Sequence, residues 1–302
     1  MRKIAVLCML CSLYTMRGHA EVEAKVEAIA AAKVEDAREI MRQVYDRNDG
    51  QTQVSRQTLS TCRYAQKGEN LVCAEQPRKK TFESVRKDYG STEKDKKTIS
   101  VVIDPPAEQG IGFLQYDYED ENKDADQWMY LSALGKVKRI VSGNENEPKN
   151  GSFFGSEFGY EDMELPHLDD FTYRLVQTET YQQRQCWVIE TLPKPQRARK
   201  SNYSKSITWI DKATLLVLKS IATDRQGKKV KRITMRDIVQ IEGVWMPLQI
   251  NINNLLTKRM STIKFEKISI NKTIEDEFLT LRTLTDGAFR EQRLKEYRTT
   301  LN

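Results

Sequence analysis

Histidine is all but missing from this chain, and cysteine is scarce. Of 302 residues, two are histidine and five are cysteine. His19 lies in a segment with the form of an export leader, so a mature chain keeps His167 alone. His-paired nucleophiles and multi-histidine metal sites are thereby excluded. Beyond the leader the cysteines are Cys62, Cys73 and Cys186, with no Cys-x-x-Cys or Cys/His spacing, so neither a metal nor a cofactor is expected. Long apolar runs are lacking too. The leader's Ile4 to Tyr14 is too short to span a bilayer, and 30% of all residues are charged, which rules out a polytopic membrane protein. Nor is the charge balance one-sided. Losing Arg2, Lys3 and Arg17 with the leader takes the net charge from +6 to about +3, too mild a balance to support nucleic-acid binding.

Catalytic groups are missing in the same way. Glu119-Asp120-Glu121 and Glu161-Asp162 are adjacent residues, which point to opposite faces of a strand and cannot act as a glycosidase pair. The Asp117–Asp126 run lacks the glycine and the spacing of an EF-hand loop. His167, beside Asp169 and Asp170, has no nucleophile to activate and reads as a loop histidine. No catalytic residue is expected, and the chain is not read as an enzyme.

What is present begins with that leader. Arg2-Lys3, the apolar run and Gly18-His19-Ala20 form the three parts of a signal peptide, with cleavage expected after Ala20. Cys8 and Cys11 follow leucine, where a lipobox wants a small residue. Val22, Val26, Ile29, Ala37, Ile40, Met41 and Val44 recur at helical spacing, so a first helix is expected over 21–47, ended by Asp49-Gly50.

From Gln51 the period changes to alternation. Strands are expected at 53–66, 69–89, 97–103, 111–119, 127–132 and 136–141, then at 171–180, 185–191, 205–210, 215–223, 229–241, 245–253 and 258–270. In the last of these Ile263 and Phe265 change phase with Ile268 and Ile270, which suggests a bulge. Cys62 and Cys73 flank Gln66-Lys67-Gly68-Glu69. A two-residue Lys67-Gly68 loop would set them directly opposite, as a disulfide or as two small buried thiols. So many sequential strands form an antiparallel meander that must curl into a barrel or half-barrel. Residues 193–202 read as a basic loop, and the charged tail 285–302 as a frayed surface helix outside one domain spanning 21–284.

Residues 142–170 interrupt the strands with a loop far longer than usual connections, and such loops are functional or mobile. Gly143, Gly151, Gly155 and Gly159 supply backbone freedom and Phe153, Phe154 and Phe158 supply apolar surface, the two needs of a lid. Leu114, Trp128 and Tyr130 are candidate lining residues of an apolar sleeve, with Tyr160 beside the lid; ordinary core is the alternative for these aromatics. Arg139 is expected to form a structural ion pair with Glu161 and Asp162.

Several segments, in order, resemble one family. They are Ala37-Arg38-Glu39-Ile40-Met41, Gly110-Ile111-Gly112-Phe113-Leu114, Asp126-Gln127-Trp128-Met129-Tyr130-Leu131 and Val137-Lys138-Arg139-Ile140. Ser152-Phe153-Phe154-Gly155-Ser156-Glu157-Phe158, Tyr160-Glu161-Asp162, Trp209-Ile210-Asp211 and Ile274-Glu275-Asp276-Glu277-Phe278 follow. The set resembles the LolA/LolB-like outer-membrane lipoprotein-sorting proteins, in a branch often encoded beside RND-type exporters. The resemblance implies a mainly β fold with helices (α+β): one strongly curved antiparallel sheet, an unclosed barrel, with helices covering its concave face. It further implies a monomeric periplasmic carrier in a Gram-negative-type envelope, holding lipid or acylated protein received from an RND-type inner-membrane transporter. The alternative is a non-transporting accessory protein of an envelope export system, its pocket filled by its own side chains.

Overall fold

The computed structural model describes residues 36–301 except 69, 91, 93, 144 and 145. The leader, its cleavage site, Cys8, Cys11 and the first part of the expected helix (21–35) lie outside the described residues. Among those described, no helix is long and apolar enough to cross a membrane.

Helix α1 (Ala37–Tyr45) starts where Asp36 caps it, the carboxylate accepting from the Arg38 amide at 3.0 Å. Fourteen strands follow. They are β1 (Thr52–Lys67), β2 (Asn70–Cys73), β3 (Arg78–Tyr89), β4 (Asp95–Asp104), β5 (Gly112–Asp117), β6 (Asp126–Leu131) and β7 (Lys136–Ile140) in the first half. The second half supplies β8 (Phe171–Tyr181), β9 (Arg184–Pro193), β10 (Tyr203–Asp211), β11 (Val217–Asp224), β12 (Lys229–Ile241), β13 (Val244–Asn254) and β14 (Arg259–Ile270). Short helices α2 (Tyr160–Met163) and α3 (Pro195–Lys200) sit in connections, and α4 (Leu281–Thr285) and α5 (Gly287–Arg298) close the chain.

All pairings are antiparallel, in the order β7-β6-β5-β4-β3-β1-β14-β13-β12-β11-β10-β9-β8, with β2 attached to β1. The sheet is unclosed: β7 and β8 are its two edges. A plain meander was expected, whereas two meanders meet at the β1–β14 pair. The chain therefore works outward to one edge, crosses to the other, and works back. That crossing is the long loop after β7. The expected bulge in β14 is present: Gln57 faces Phe265 and Arg56 faces Lys267, skipping Glu266.

Three local details differ from expectation. The 69–89 segment is two strands, because the chain breaks pairing after Cys73. The β1–β2 hairpin pairs Lys67 with Asn70, one step later than a Lys67-Gly68 loop would give, with Gly68 in the left-handed region at φ +61°. Cys73 then lies opposite Tyr64, and Cys62 reaches it diagonally, the sulfurs 2.09 Å apart as a disulfide. Residues 195–200 are helical rather than loop, with Pro195 in the first turn where its missing N–H costs nothing.

Each face of the sheet has its own core. On one, Phe82, Val102, Phe113, Met129, Ile252 and Ile263 pack with Phe153, Phe154 and Phe158. On the other, Val54, Val85, Ile99, Val101 and Leu114 pack with Phe278, Leu279, Leu284, Leu294, Tyr297 and Leu301. The C-terminal segment is thus anchored core, not the expected frayed surface helix. Gly112 is required there: a Cβ would stand 2.6 Å from Leu284 Cδ2. Helix α1 buries Ala37, Ile40 and Met41 against Ile189 and Ile210.

Candidate functional site

What one short helix touches shows that the sheet curls. β6 and β12 are seven places apart in strand order, roughly 34 Å if the sheet were flat. Yet Gln127 on β6 donates to the Tyr160 carbonyl at 3.0 Å while Lys231 on β12 pairs with Asp162. Residues 160 and 162 belong to one turn of α2, so the face carrying Phe82 and Phe113 is the inside of the curve.

The 150–163 segment lies across this inner face, and each of its parts is fixed. Phe153 packs edge-on to Phe82 and Phe113, at 5.5 and 5.3 Å between ring centres, and 4.1 Å from Phe154. Tyr160 stacks on Phe113 at 6.0 Å with an interplanar angle of 5°. Charges anchor the flanks. Arg259 on β14 holds Glu157 at 2.9 Å, and Asn254 donates to the same carboxylate. Asp162 accepts from the Gly159 amide, Tyr203 and Lys231. That carboxylate, with burial leading, pushes the Tyr203 phenol far above its ordinary value. Glu161 takes Arg197, Ser201 and both nitrogens of Asn202. Lys149 bridges Glu164 and the Ala125 carbonyl, both at 2.7 Å.

Two backbone features distinguish the segment. Phe154 adopts φ +49°, ψ +30°, the left-handed region that costs a β-carbon residue about 1–2 kcal/mol. Gly151, at φ +115°, lies so close to Tyr160 that a Cβ would stand 2.6 Å from the ring. A well-packed pair of rings therefore sits on a backbone held away from its preferred conformation.

The predicted site residues are not brought together. Leu114, Trp128 and Tyr130 face the opposite side of the sheet from Phe153, beneath the C-terminal helices, with Trp128 5.1 Å from Tyr116. They are not lining for the inner face. The reason is the period of two: Phe113 points inward, so Leu114 points out. Phe153 and Phe154 are core, 1% and 5% exposed, rather than rims of an open mouth. Arg139 pairs with Asp126 at 2.5 Å and not with Glu161 or Asp162, which take Arg197 and Lys231. Phe113, Phe82 and the anchors Arg259, Lys231 and Tyr203 were missed. Only non-local pairing brings them under the loop.

Two clefts border the segment. One of about 490 Å³ lies beside Gly151 and Gly159, lined also by Lys149, Glu161, Tyr203 and Arg225. The other, about 170 Å³, holds Asp117, Glu121, Asp170, His167 and Arg197. There His167 Nε2 is 2.8 Å from the Tyr118 carbonyl, and burial pushes the Asp117 carboxyl up to about 6.

Comparisons fit this geometry. A family model for an uncharacterized, DUF1329-like protein matches residues 94–286. A DUF1329 family protein from Desulfovibrio piger superposes with TM-score 0.71 at 22% identity, over 82% of this chain and 97% of its own. A protein from Vibrio parahaemolyticus, described as an outer membrane lipoprotein-sorting protein domain, gives 0.70 at 22% identity, over 82% and 98%. A LolA superfamily protein from Nitrosomonas europaea gives 0.58 at 14%, over 81% and 97%. These likenesses establish a LolA-type fold. No curated protein matches the sequence.

Proposed function

This chain belongs to the DUF1329-like family, and on that footing we propose that it is a carrier or chaperone for lipid or lipidated cargo in the periplasm. The observation that carries the reading is the inner face of the half-barrel, occupied by the Phe153-Phe154-Phe158 segment on a strained backbone. In this reading the three rings are an internal plug, and an acyl chain takes their place. In this reading helix α1 and residues 150–163 together cover the concave face.

The energetics suit exchange. A sixteen-carbon chain removed from water gains about 12 kcal/mol, at roughly 0.8 kcal/mol per methylene. Re-exposing three phenylalanines costs roughly 5–9 kcal/mol. The difference is a few kcal/mol before ordering entropy, so loading is favourable and release is not forbidden. No covalent step is involved. Cargo would come from an RND-type inner-membrane transporter and leave toward the outer membrane, with the protein acting as a monomer.

The test is to purify the protein from its own periplasm and analyse it by native mass spectrometry and lipid extraction. Co-purified acyl species are expected; a reproducibly empty protein would favour the second reading. In that reading the protein is a non-transporting accessory of an envelope export system. The near-complete burial of Phe153 favours it, since the inner face is then permanently filled.

A further inference from the structure

The outer face of the second meander carries a grid of cations that the inner site does not use. The register places Lys219, Lys229, Arg232, Arg236, Lys264 and Lys267 on one face: Ile221 pairs with Arg232, Lys219 with Thr234, Arg236 with Gln249, Gln249 with Lys264, and Thr223 with Lys229. Lys267, opposite Arg56, extends the row across the bulge. Their immediate neighbours Ile233 and Ile263 point inward, so this is the solvent side. The C-terminal helices cover only the other half of that outer face, over β1 and β3–β5.

Acids on this side are few and engaged. Glu190 takes Arg174 and Lys205, and Glu179 accepts from the Trp209 indole. Glu266 stands 3.9 Å from Lys264. Between the cations stand Thr234, Gln249, Asn251 and Thr262, which are neutral and polar. Burial over the Trp209 ring pulls Lys219 below its ordinary value, opposed by Glu179 and reinforced by Arg232 and Lys229.

We propose that this outer face of β11–β14 docks on an anionic phospholipid surface. The patch spans three strand spacings by seven residues, about 14 by 23 Å. It offers spread cations around a partly buried apolar cluster on the same face, Trp209, Ile221, Ile238 and Trp245, with Lys219 lying 3.7 Å over the Trp209 ring. The charge decides the occupant: an anionic headgroup layer matches cations spread over this whole area, and the half-buried Trp245 suits the zone just beneath the headgroups. The proposal rests on the carrier reading, because a carrier must visit membrane surfaces.

The experiment is flotation of the full mature protein with phosphatidylcholine vesicles, with and without phosphatidylglycerol, at low and high salt. The test variant is Arg236→Gln/Lys264→Gln/Lys267→Gln, three exposed positions. Its charge-matched control is Lys136→Gln/Lys138→Gln/Lys295→Gln, exposed positions elsewhere. Wild type and control should bind only the anionic vesicles and lose them at high salt. The test variant should bind on the order of 10²-fold more weakly. Equal losses in both variants, binding that ignores phosphatidylglycerol, or capture of an acidic protein without vesicle binding would each overturn the proposal. An acyl probe that still binds the test variant leaves the carrier reading standing, so the two fail separately.

Discussion

Phe153→Ala separates a plug from a permanent core. The ring is 1% exposed and touches Phe82, Phe113 and Phe154. Truncating such a phenylalanine costs about 3–5 kcal/mol. If residues 152–163 are integral to the fold, that cost falls on global unfolding. At about 2–4 °C per kcal/mol the thermal midpoint would drop by roughly 6–20 °C. If the segment undocks by itself, the loss falls mainly on its local opening. Amide exchange at 152–163 should then quicken by about 10²- to 10⁴-fold while the sheet amides and the midpoint change little. Acyl binding gives the second signal. A site available only in the undocked fraction has its apparent affinity reduced by that fraction, so weakening the plug should tighten binding of a fluorescent acyl probe. The sign is opposite to that of a lid whose rings hold the ligand. A full midpoint drop with unchanged loop exchange, and no gain in probe affinity, would refute the plug.

Three further outcomes follow from the same geometry. Lys231→Met leaves Asp162, whose side chain is 4% exposed, without its cation; breaking a buried pair costs about 3–5 kcal/mol. Exchange at 159–163 should quicken at least about 10²-fold, and adding Asp162→Asn should restore most of the protection. Burial holds the Asp117 carboxyl at about 6, above the ordinary 3.8, so the folded state binds the proton more tightly than the unfolded chain. Its favourable contribution is therefore present below about pH 4 and lost as pH rises through 6. Urea unfolding of Asp117→Asn against wild type should shift in the variant's favour by roughly 2 kcal/mol between pH 4 and 7, and no shift would remove the assignment. Gly112→Ala pushes a methyl into Leu284 and should cost roughly 1–3 kcal/mol by thermal unfolding, whereas a neutral result would mean that α4 shifts freely.

Some of this was legible in the residues. Met246, Leu248, Ile250 and Ile252 alternate, and β13 lies where that pattern puts it. Ala37, Ile40 and Met41 share one helical stripe, and all three are buried in α1. The phase change after Phe265 is the bulge seen opposite Arg56 and Gln57. The glycine- and phenylalanine-rich loop stood out as unlike its surroundings, and it is the segment on which the proposed function turns. The ordered segments also pointed to the fold family.

The rest was decided by contacts far apart in sequence. A period of two says which side chains share a face, but not which face becomes the inside of the curve. That is why Leu114, Trp128 and Tyr130 looked like partners of Phe153, although the sheet separates them. Nothing local says that β1 pairs with β14, yet this pairing puts β7 and β8 at opposite edges and sends the connecting loop across the inner face. Charge partners follow the same rule: Arg139 meets its own hairpin's Asp126, while Asp162 meets Lys231 from 69 residues away. Local patterning determined the strands and the loop's composition, because both depend on neighbours along the chain. Curvature, the filling of the inner face and the ion pairs belong to tertiary structure, because they form only once distant strands have chosen each other.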